Sequence, residues 1–257
     1  MQEHTSYSST LTLMQCGLKY KLMKLDGHTE RAAWWSVAGS AAHSATEAFD
    51  LTGEGTAADL FAAAFDDHIE TTLKFDPDKD EWRQSRNQGE EWWRLNGPPM
   101  VQAYIDWRQE SGWEILDADG TPAVELPILI DMGPLDLKGF IDRVFVTPAG
   151  EVVVLDLKFG ARKPDSALQL GWYRVGLEKQ YGVTSDLGAY YLPRKVKPED
   201  RLIVHPLERY TEKFVGHFIK ATADALDKEL FLPNPSGFCG SCGVRDACWV
   251  WADDTTK

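Results

Sequence analysis

The chain has 257 residues, of which 43% are hydrophobic and 11% aromatic, enough to fill a sizeable globular core. No apolar run approaches the roughly 20 residues that cross a bilayer, and the N-terminus lacks the pattern of a secretory signal. We therefore expect a cytoplasmic protein with no membrane partner. A net charge of −13 argues against non-specific coating of nucleic acid, although a local basic cleft remains compatible with it.

The first part of the chain is predicted to be helical. Apolar residues at helical spacing over 9–25 and the alanine-rich stretch 39–51 each indicate a helix, and 57–73 continues the pattern. The sequence NGPP at 96–99 indicates a break between two further helical segments. Four tryptophans are expected to pack in this part: Trp82, Trp92, Trp93 and Trp107.

From Trp113 the pattern changes to short β-rich runs. The runs 122–131, 136–148 and 151–160 predict three strands, and the Pro-Ala-Gly sequence between the last two predicts a turn. We expect these strands to form an antiparallel hairpin or meander.

A helix is predicted after the meander. Pro164 and Asp165 mark its start and Gly182 marks its end. The chain then returns as a strand at 185–194 and as an amphipathic helix at 211–230, before a loop-like tail rich in cysteine.

The chain shows no linker, repeat or low-complexity tract that would divide it. We therefore expect a single domain over 1–257. Its helical part is expected at about 26–112 and its α/β part at 113–194.

The third predicted strand carries two charges, Asp156 and Lys158, where a buried strand is expected to be apolar. Side chains alternate along a strand, so both lie on one face, about 6.6 Å apart along the strand axis. Asp142, on the preceding strand, lies opposite Asp156 if the register places both at one end. By itself, an Asp-x-Lys pair also fits a salt bridge at a strand end.

Convergence of these charges would favour one kind of chemistry. Two carboxylates repel each other unless a cation neutralises them, and hard oxygen ligands suit Mg²⁺ or Mn²⁺. Lys158 would orient the nucleophile or stabilise charge that develops on a phosphate. The sequence therefore favours metal-dependent phosphodiester hydrolysis.

Two pairs on predicted helices strengthen this interpretation. Gln169 and Tyr173 are four residues apart, so both can point back across the strand ends. His43 and Glu47 have the same spacing on the alanine-rich helix. Each pair alone is typical of structural residues, but the whole set is improbable as coincidence.

Five stretches, in chain order, resemble the motifs of RecB-type exonucleases in the PD-(D/E)XK nuclease superfamily: GSAAHSATEAF, VELPI, GFIDRVF, VLDLKFG and QLGWYRVGLEK. The resemblance covers about residues 5–250. It implies an α/β fold with a mixed sheet, a core of order αβββαβ at 113–194 and a helical N-terminal insertion. It also implies cleavage of DNA, with exonuclease action on single-stranded or frayed ends. Ile141 replaces the proline of the literal motif, as is common in this superfamily.

The resemblance also implies roles for individual residues. Metal ligands for Mg²⁺ or Mn²⁺ are implied at His43, Asp142, Asp156 and the Leu157 carbonyl. Catalytic residues are implied at Asp142, Asp156, Lys158, Gln169, Tyr173 and Glu125. DNA contacts are expected from Tyr173 and Trp172 on the helix and from Arg162 and Lys163 before it.

The four cysteines form a second pattern. Cys16 stands near the N-terminus, and Cys239, Cys242 and Cys248 cluster near the C-terminus. Tightly clustered cysteines in a cytosolic protein are more often metal ligands than disulfides. Four thiolates bind either Zn²⁺ or an iron–sulfur cluster, and their number alone leaves both open.

The spacing of these cysteines resembles that of the nuclease subgroup containing the CRISPR-associated RecB-like exonucleases and the AddB nuclease domain. That resemblance implies a [4Fe–4S] cluster, with Zn²⁺ as the alternative. Cys16 and the segment 237–251 would then clasp the two chain ends together, so removing the metal is expected to loosen the fold.

Two further functions stay open at this point. One is a DNA-binding or assembly subunit with a weak or inactive site, in a recombination or CRISPR-adaptation complex. The other is a structure-specific endonuclease, because the same metal chemistry serves many substrates. The presence of every residue of the implied catalytic set favours an active enzyme.

Overall fold

The computed structural model of the protein describes residues 3–252. Its α-helices in that range are α1 (Tyr7–Gln15), α2 (Gly17–Lys24), α3 (Trp34–Thr52), α4 (Ala57–Leu73), α5 (Glu90–Ser111), α6 (Leu168–Tyr181), α7 (Glu212–Asp227) and α8 (Trp249–Ala252). Its strands there are β1 (His4–Thr5), β2 (Glu114–Ile115), β3 (Asp117–Ala118), β4 (Thr121–Pro122), β5 (Val124–Asp131), β6 (Asp136–Val146), β7 (Val152–Leu157), β8 (Leu187–Tyr191) and β9 (Leu202–Pro206). None of these helices is long and apolar enough to span a membrane.

Strand β6 organises the main sheet. Arg143 on β6 pairs with Val124 of antiparallel β5 on one edge and with Leu155 of antiparallel β7 on the other. β8 continues the sheet parallel to β7, and β9 pairs antiparallel to β8. The result is a seven-stranded mixed sheet, completed by β1 and β2 against β6. The order α3-β5-β6-β7-α6-β8 is the predicted αβββαβ core, and the α/β fold class is confirmed.

Helices cover both faces of this sheet. Alternation along the strands sends Phe145 and Leu155 towards α3, α4 and α5. Val144 and Val154 point the other way, towards α6 and α7. The strands are therefore apolar on both sides, and an ionised side chain within them needs a partner.

The predicted helix over 9–25 is wrong in one respect, because the structure interrupts it at Cys16. That residue is extended, with φ −162° and ψ 106°, and it ends α1 and caps the start of α2. Its sulfur accepts a hydrogen bond from the backbone N–H of Lys19 at 3.5 Å. The helical spacing of the apolar residues did not reveal this break, since each half keeps that spacing.

The predicted break at 96–99 is also wrong, because α5 runs through Pro98 and Pro99 without interruption. Packing against α4 explains the continuity. A Cβ on Gly97 would lie 2.1 Å from Cζ of Phe61, so the glycine lets the buried Phe61 ring press directly on the α5 backbone. Tertiary contact here outweighs local helix propensity.

Other predicted elements differ mainly at their ends. α6 begins at Leu168 and not at Pro164, because 160–167 forms a loop held by a hydrogen bond from the Tyr190 hydroxyl to the Ser166 carbonyl at 2.9 Å. β1 and β9 were not predicted. β1 pairs with β6, far along the chain, whereas the short β9 pairs with β8, the strand before it.

Candidate functional site

The site begins where β6 and β7 lie side by side. The pairing of Arg143 with Leu155 places the next residues, Asp142 and Asp156, next to each other. The backbone N–H of Leu157 donates to Asp142 Oδ2 at 2.9 Å, which fixes the first carboxylate. Asp142 is 7% exposed and Asp156 only 1%. Two buried carboxylates therefore meet at one point, as the sequence predicted.

Two side chains from separate elements gather around Asp142. His43 Nδ1 on α3 lies 3.4 Å from Asp142 Oδ2 and 3.7 Å from Glu125 Oε1 on β5. One ligand atom from each of these residues lies within 4.8 Å of the other two. Imidazole and carboxylate groups this close together form a candidate cation site.

Glu125 enters the site through an unusual backbone conformation. Its φ of 46° lies in the left-handed region, which residues other than glycine rarely adopt. Glu125 stands opposite Asp142 in the β5–β6 register, between the pairs Val124–Arg143 and Leu126–Ile141. Strain of this kind costs about 1–3 kcal/mol and persists only where the surroundings enforce it. Here it accompanies a glutamate in the candidate cation site.

Lys158 follows β7 and pairs with Asp156, with Nζ 2.7 Å from Oδ2. The same Nζ donates to Gln169 Oε1 at 2.9 Å, and Gln169 Nε2 donates to the Tyr173 hydroxyl at 2.9 Å. The Tyr173 hydroxyl lies 3.2 Å from Asp142 Oδ1 and 3.3 Å from Asp156 Oδ1. One continuous network thus links the lysine to both carboxylates through the first turns of α6.

The electrostatics of this site are strongly perturbed. Burial raises the pKa of Asp156; Lys158 opposes this rise and Asp142 adds to it, leaving the pKa at about 6. Burial opposes protonation of His43, but Asp142 and Glu125 together raise the pKa of the imidazole. The His43 shift reflects the neighbouring carboxylates, whereas the Asp156 shift comes mainly from burial, and a bound cation would favour the ionised carboxylate.

Arg143 supports the site from the side of the sheet that faces α3, and the sequence analysis did not identify it. Its side chain is fully buried, and its Nε lies 2.6 Å from Asp50 Oδ2 on α3. Its Nη1 is 3.4 Å from Glu125 Oε1 and its Nη2 is 3.3 Å from Thr46 Oγ1. The sequence did contain a sign of this role, because an arginine within the apolar strand GFIDRVF requires a buried partner.

The residues predicted to contact DNA fall into two groups. Arg162 and Lys163 are exposed in the loop after β7, four and five residues after Lys158 in the sequence, and the Arg162 guanidinium lies 4.8 Å from the Phe238 ring centre. Trp172 is 1% exposed and packs edge-on against Tyr7, so the DNA contact predicted for its side chain is wrong. Tyr173 is also buried, at 7% exposure, and its hydroxyl faces the carboxylates.

The four cysteines lie around one cavity of about 160 Å³, although Cys16 and the others come from opposite ends of the chain. Among the described residues they form no disulfide, and all four are half-buried. In the described part of the chain, no three of their sulfurs lie within 4.8 Å of one another. A tetrahedral Zn²⁺ site with Zn–S bonds of about 2.3 Å would bring its sulfurs to about 3.8 Å. The cavity is therefore wider than a closed zinc site.

Two of these sulfurs already accept backbone hydrogen bonds. Lys19 N–H donates to Cys16 Sγ at 3.5 Å, and Ser236 N–H donates to Cys239 Sγ at 3.4 Å. The start of α2 also points its positive dipole end at Cys16. Such donors stabilise thiolates and iron–sulfur ligands.

The cysteine-rich segment is fixed to the helical part by close backbone contacts. Arg31 N–H donates to the Gly243 carbonyl at 2.9 Å, and Arg83 Nη1 donates to the Ser241 carbonyl at 2.8 Å. A Cβ on Gly243 would lie 2.0 Å from Cγ of Glu30. The glycine allows this approach, which holds the C-terminal cysteines near Cys16.

The α/β sheet carries two adjacent strand acids, a lysine two residues after the second, and a histidine and a glutamate beside them. This arrangement indicates the nuclease class. Comparison with known proteins gives the family. The model of the PD-(D/E)XK nuclease superfamily matches residues 4–249, and the chain belongs to that superfamily. Nucleases of this superfamily use divalent metals and act on DNA.

Two curated relatives span nearly the whole chain. Gene 69 protein of Mycobacterium phage D29 is 27% identical over 273 residues, covering 92% of this chain and 93% of the relative. Gene 69 protein of Mycobacterium phage L5 is 29% identical over 287 residues, with the same coverage. Among solved structures, the crystal structure of SSO0001 is similar over 94% of this chain and 96% of the SSO0001 chain, with 14% sequence identity and a TM-score of 0.33.

Proposed function

We propose that the protein is a divalent-metal-dependent deoxyribonuclease. One observation carries the proposal: in a chain of the PD-(D/E)XK superfamily, ligand atoms of His43, Glu125 and Asp142 lie within 4.8 Å of one another, beside the Asp156–Lys158 pair. A strand-end salt bridge alone would not require the histidine or the glutamate. Their convergence supports catalysis over a structural role.

The donor set fits a divalent cation. His43 Nδ1 lies 3.4 Å from the Asp142 carboxylate and 3.7 Å from the Glu125 carboxylate. Neighbouring ligand atoms of an octahedral Mg²⁺ ion are about 3 Å apart, so these distances are only slightly longer. His43, Glu125, Asp142 and Asp156 are the residues proposed to hold Mg²⁺ or Mn²⁺, with the Leu157 carbonyl as a further ligand. The ion supplies charge neutralisation and an acidified water. The imidazole favours Mn²⁺ over Mg²⁺.

The remaining roles belong to side chains of the network. Lys158 holds its ammonium next to Asp156, where it can orient a water or balance charge on a phosphate oxygen. Gln169 accepts from that ammonium and so fixes its position. Tyr173 is proposed to position the two carboxylates, because its hydroxyl lies between them.

Exonuclease action of the RecB type, on single-stranded or frayed ends, is part of the proposal. Its support is the resemblance of the five motif stretches, together with the exposed cations Arg162 and Lys163 in the loop that follows Lys158. The names of the phage relatives state no activity, so the support comes from the residues. We propose the whole of 1–257 as one nuclease domain, and recombination or CRISPR-adaptation proteins as its partners.

We further propose that the four cysteines bind a [4Fe–4S] cluster. Two features support the cluster over Zn²⁺: the sulfurs are not gathered as in a closed zinc site, and all four cysteines line a cavity of about 160 Å³. The backbone N–H donors to Cys16 and Cys239 would stabilise thiolate ligands of either metal. The cysteines are not connected to the acids by any of the contacts described above. The cluster is therefore assigned a structural role.

The nuclease proposal is tested by cleavage of a labelled single-stranded oligonucleotide with Mn²⁺. We expect cleavage by the wild type and a loss of at least about 100-fold in Asp156→Ala and Lys158→Ala. Asp131→Ala, at the far end of the β5–β6 hairpin, is the matched control and is expected to keep full activity. A wild type that binds DNA without cutting it would instead indicate the assembly subunit. Circular substrates separate an exonuclease from an endonuclease.

The cluster proposal is tested on protein purified without oxygen. We expect a brown protein with visible absorption, containing iron and acid-labile sulfide in equal amounts. A colourless protein with one zinc ion would rule out the iron–sulfur cluster and leave the nuclease proposal unaffected. Cys242→Ser is expected to lose the metal and lower the melting temperature.

A further inference from the structure

A second loop begins at the active-site edge of the sheet. β7 and β8 are parallel, with Leu157 paired to Tyr191, so both strands end at the same edge. The backbone N–H of Lys158 donates to the Tyr191 carbonyl at 2.9 Å. Residues 192–201, which we call the basic loop, therefore start one residue beyond a direct contact with the catalytic lysine.

The basic loop is unusual in charge and in exposure. Arg194, Lys195 and Lys197 place three cations in four positions, in a chain whose net charge is −13. Lys195 and Lys197 are exposed, and Val196 between them is 91% exposed. The acids Glu199 and Asp200 follow on a separate 3₁₀ turn. Val196 therefore offers an apolar side chain to solvent between two lysines.

The shape of this loop is fixed by its own hydrogen bonds. Leu192 N–H donates to the Arg201 carbonyl at 2.7 Å, and Lys195 N–H donates to the Leu192 carbonyl at 3.0 Å. Arg201 Nε in turn donates to the Lys195 carbonyl at 3.0 Å. A preformed loop of this kind loses little entropy when it binds a ligand.

Arg194 anchors the loop to the helical layer. Its guanidinium lies 5.0 Å from the Trp92 ring centre and 5.7 Å from that of Trp93, both on α5. These cation–π contacts fix the first cation and leave Lys195 and Lys197 to face solvent. The loop thus presents two exposed lysines on a rigid base.

We propose that the basic loop guides a single DNA strand to or from the active site, with Lys195 and Lys197 on phosphates and Val196 against the face of a base. The alternation of cation, apolar group and cation matches the phosphates and the exposed bases of one strand. In a duplex the base faces are stacked and covered, so Val196 would find no partner there. The proposal rests on the nuclease function and specifies its substrate as a single strand.

Binding without catalysis tests this directly. The affinity of the full-length protein for a fluorescent single-stranded thymidine oligonucleotide is measured in EDTA at several salt concentrations. Each phosphate contact to a single strand contributes about 0.7 to the slope of log K against log salt. For Lys195→Ala/Lys197→Ala we expect the slope to fall by about 1.4 and the affinity at 0.1 M salt to fall about 25-fold.

The matched control removes two other surface lysines. Lys179 lies ten residues after Gln169 on α6, about 15 Å along the helix axis from the site. Lys138 faces Leu129, whose N–H is bonded to Gln180 at the same end of α6. The double variant Lys138→Ala/Lys179→Ala is expected to bind like the wild type. Equal losses in both double variants would overturn the proposal, because non-specific charge would then explain them.

The role of Val196 is tested by a separate variant. Val196→Ser is expected to weaken single-strand binding about threefold without changing the salt slope, since it removes an apolar contact and no charge. It should leave duplex binding unchanged. An equal effect on both DNA forms would contradict contact with an unstacked base.

Failure of this proposal is distinguishable from failure of the nuclease function. A wild type that binds the oligonucleotide through Lys195 and Lys197 but never cuts it would refute the catalytic proposal alone. A wild type that cuts DNA with the same KM as the Lys195→Ala/Lys197→Ala variant would refute the basic loop alone.

Discussion

Arg143 and Asp50 form an ion pair with Nε and Oδ2 2.6 Å apart, and neither side chain is exposed to solvent. Asp50 lies on α3, about two turns after His43, and Arg143 follows Asp142 on β6. The pair therefore fixes the helix that carries the imidazole against the strand that carries the carboxylate. The positions of two proposed metal ligands depend on a contact that neither of them makes.

Asp50→Asn is expected to destabilise the protein by about 3–5 kcal/mol, because it removes the closest and fully buried counter-ion of Arg143 and leaves only Glu125, at 3.4 Å. Asp50 also accepts from the Tyr104 hydroxyl at 2.6 Å and from Arg108 Nε at 2.9 Å, so three donors lose a carboxylate. Urea unfolding measures the change. Asp67→Asn, exposed on α4, is the control, and a loss no larger than its own would show that the pair contributes nothing.

Tyr173→Phe is expected to lower kcat about 10- to 100-fold with little change in DNA affinity, since it removes a hydroxyl that orders both carboxylates. Tyr181→Phe on the same helix is the control, because its hydroxyl donates to the Pro127 carbonyl at 2.6 Å, away from the site. Single-turnover rates and binding by anisotropy separate the two effects. A rise in KM with an unchanged kcat would mean that Tyr173 contacts DNA instead.

Metal binding is expected to depend on pH through Asp156. Its raised pKa of about 6 means that, in the metal-free protein, folding takes up a proton between about pH 4 and pH 6. The associated stability is present below about pH 4 and is lost as the pH rises through 6. A cation requires the ionised form, so Mn²⁺ should raise the melting temperature more at about pH 7.5 than at about pH 5.

Asp156→Asn provides the control for this pH dependence. It keeps the shape of the side chain and cannot ionise, so the effect of Mn²⁺ on the melting temperature should become smaller and nearly independent of pH. His43 also binds a proton in competition with the metal, because nearby carboxylates raise its pKa. If Asp156→Asn kept the full pH dependence, His43 and not Asp156 would control it.

Much of the fold and of the acid–lysine network was predictable from sequence, because both follow from short-range rules. Alternation along β7 put Asp156 and Lys158 on one face, and helical spacing put Gln169 and Tyr173 on one side of α6. The hairpin then needed only its register to bring Asp142 alongside. These relationships lie within a few residues or one turn.

The missed features depend on contacts between distant parts of the chain. The basic partner of Asp50 is 93 residues away, and the burial of Trp172 arises from Tyr7 on α1 and could not be read from its neighbours on α6. The left-handed conformation of Glu125 has no local signal either, since glutamate gives no hint of a positive φ. Local patterns indicate which residues can meet, while packing decides which of them do.

Gly97 gives the sharpest test of such packing. A Cβ at this position would lie 2.1 Å from Cζ of Phe61, which is itself 1% exposed, so Gly97→Ala must displace a core ring. We expect a loss of about 2–3 kcal/mol despite the better helix propensity of alanine. Gly39→Ala on α3 is the control, because nothing lies within 4 Å of its Cβ, and a gain of up to about 1 kcal/mol is expected. If urea unfolding showed that both alanine variants are more stable than the wild type, α4 and α5 would pack less closely than described. The two prolines, and not the contact between Gly97 and Phe61, would then determine the path of α5.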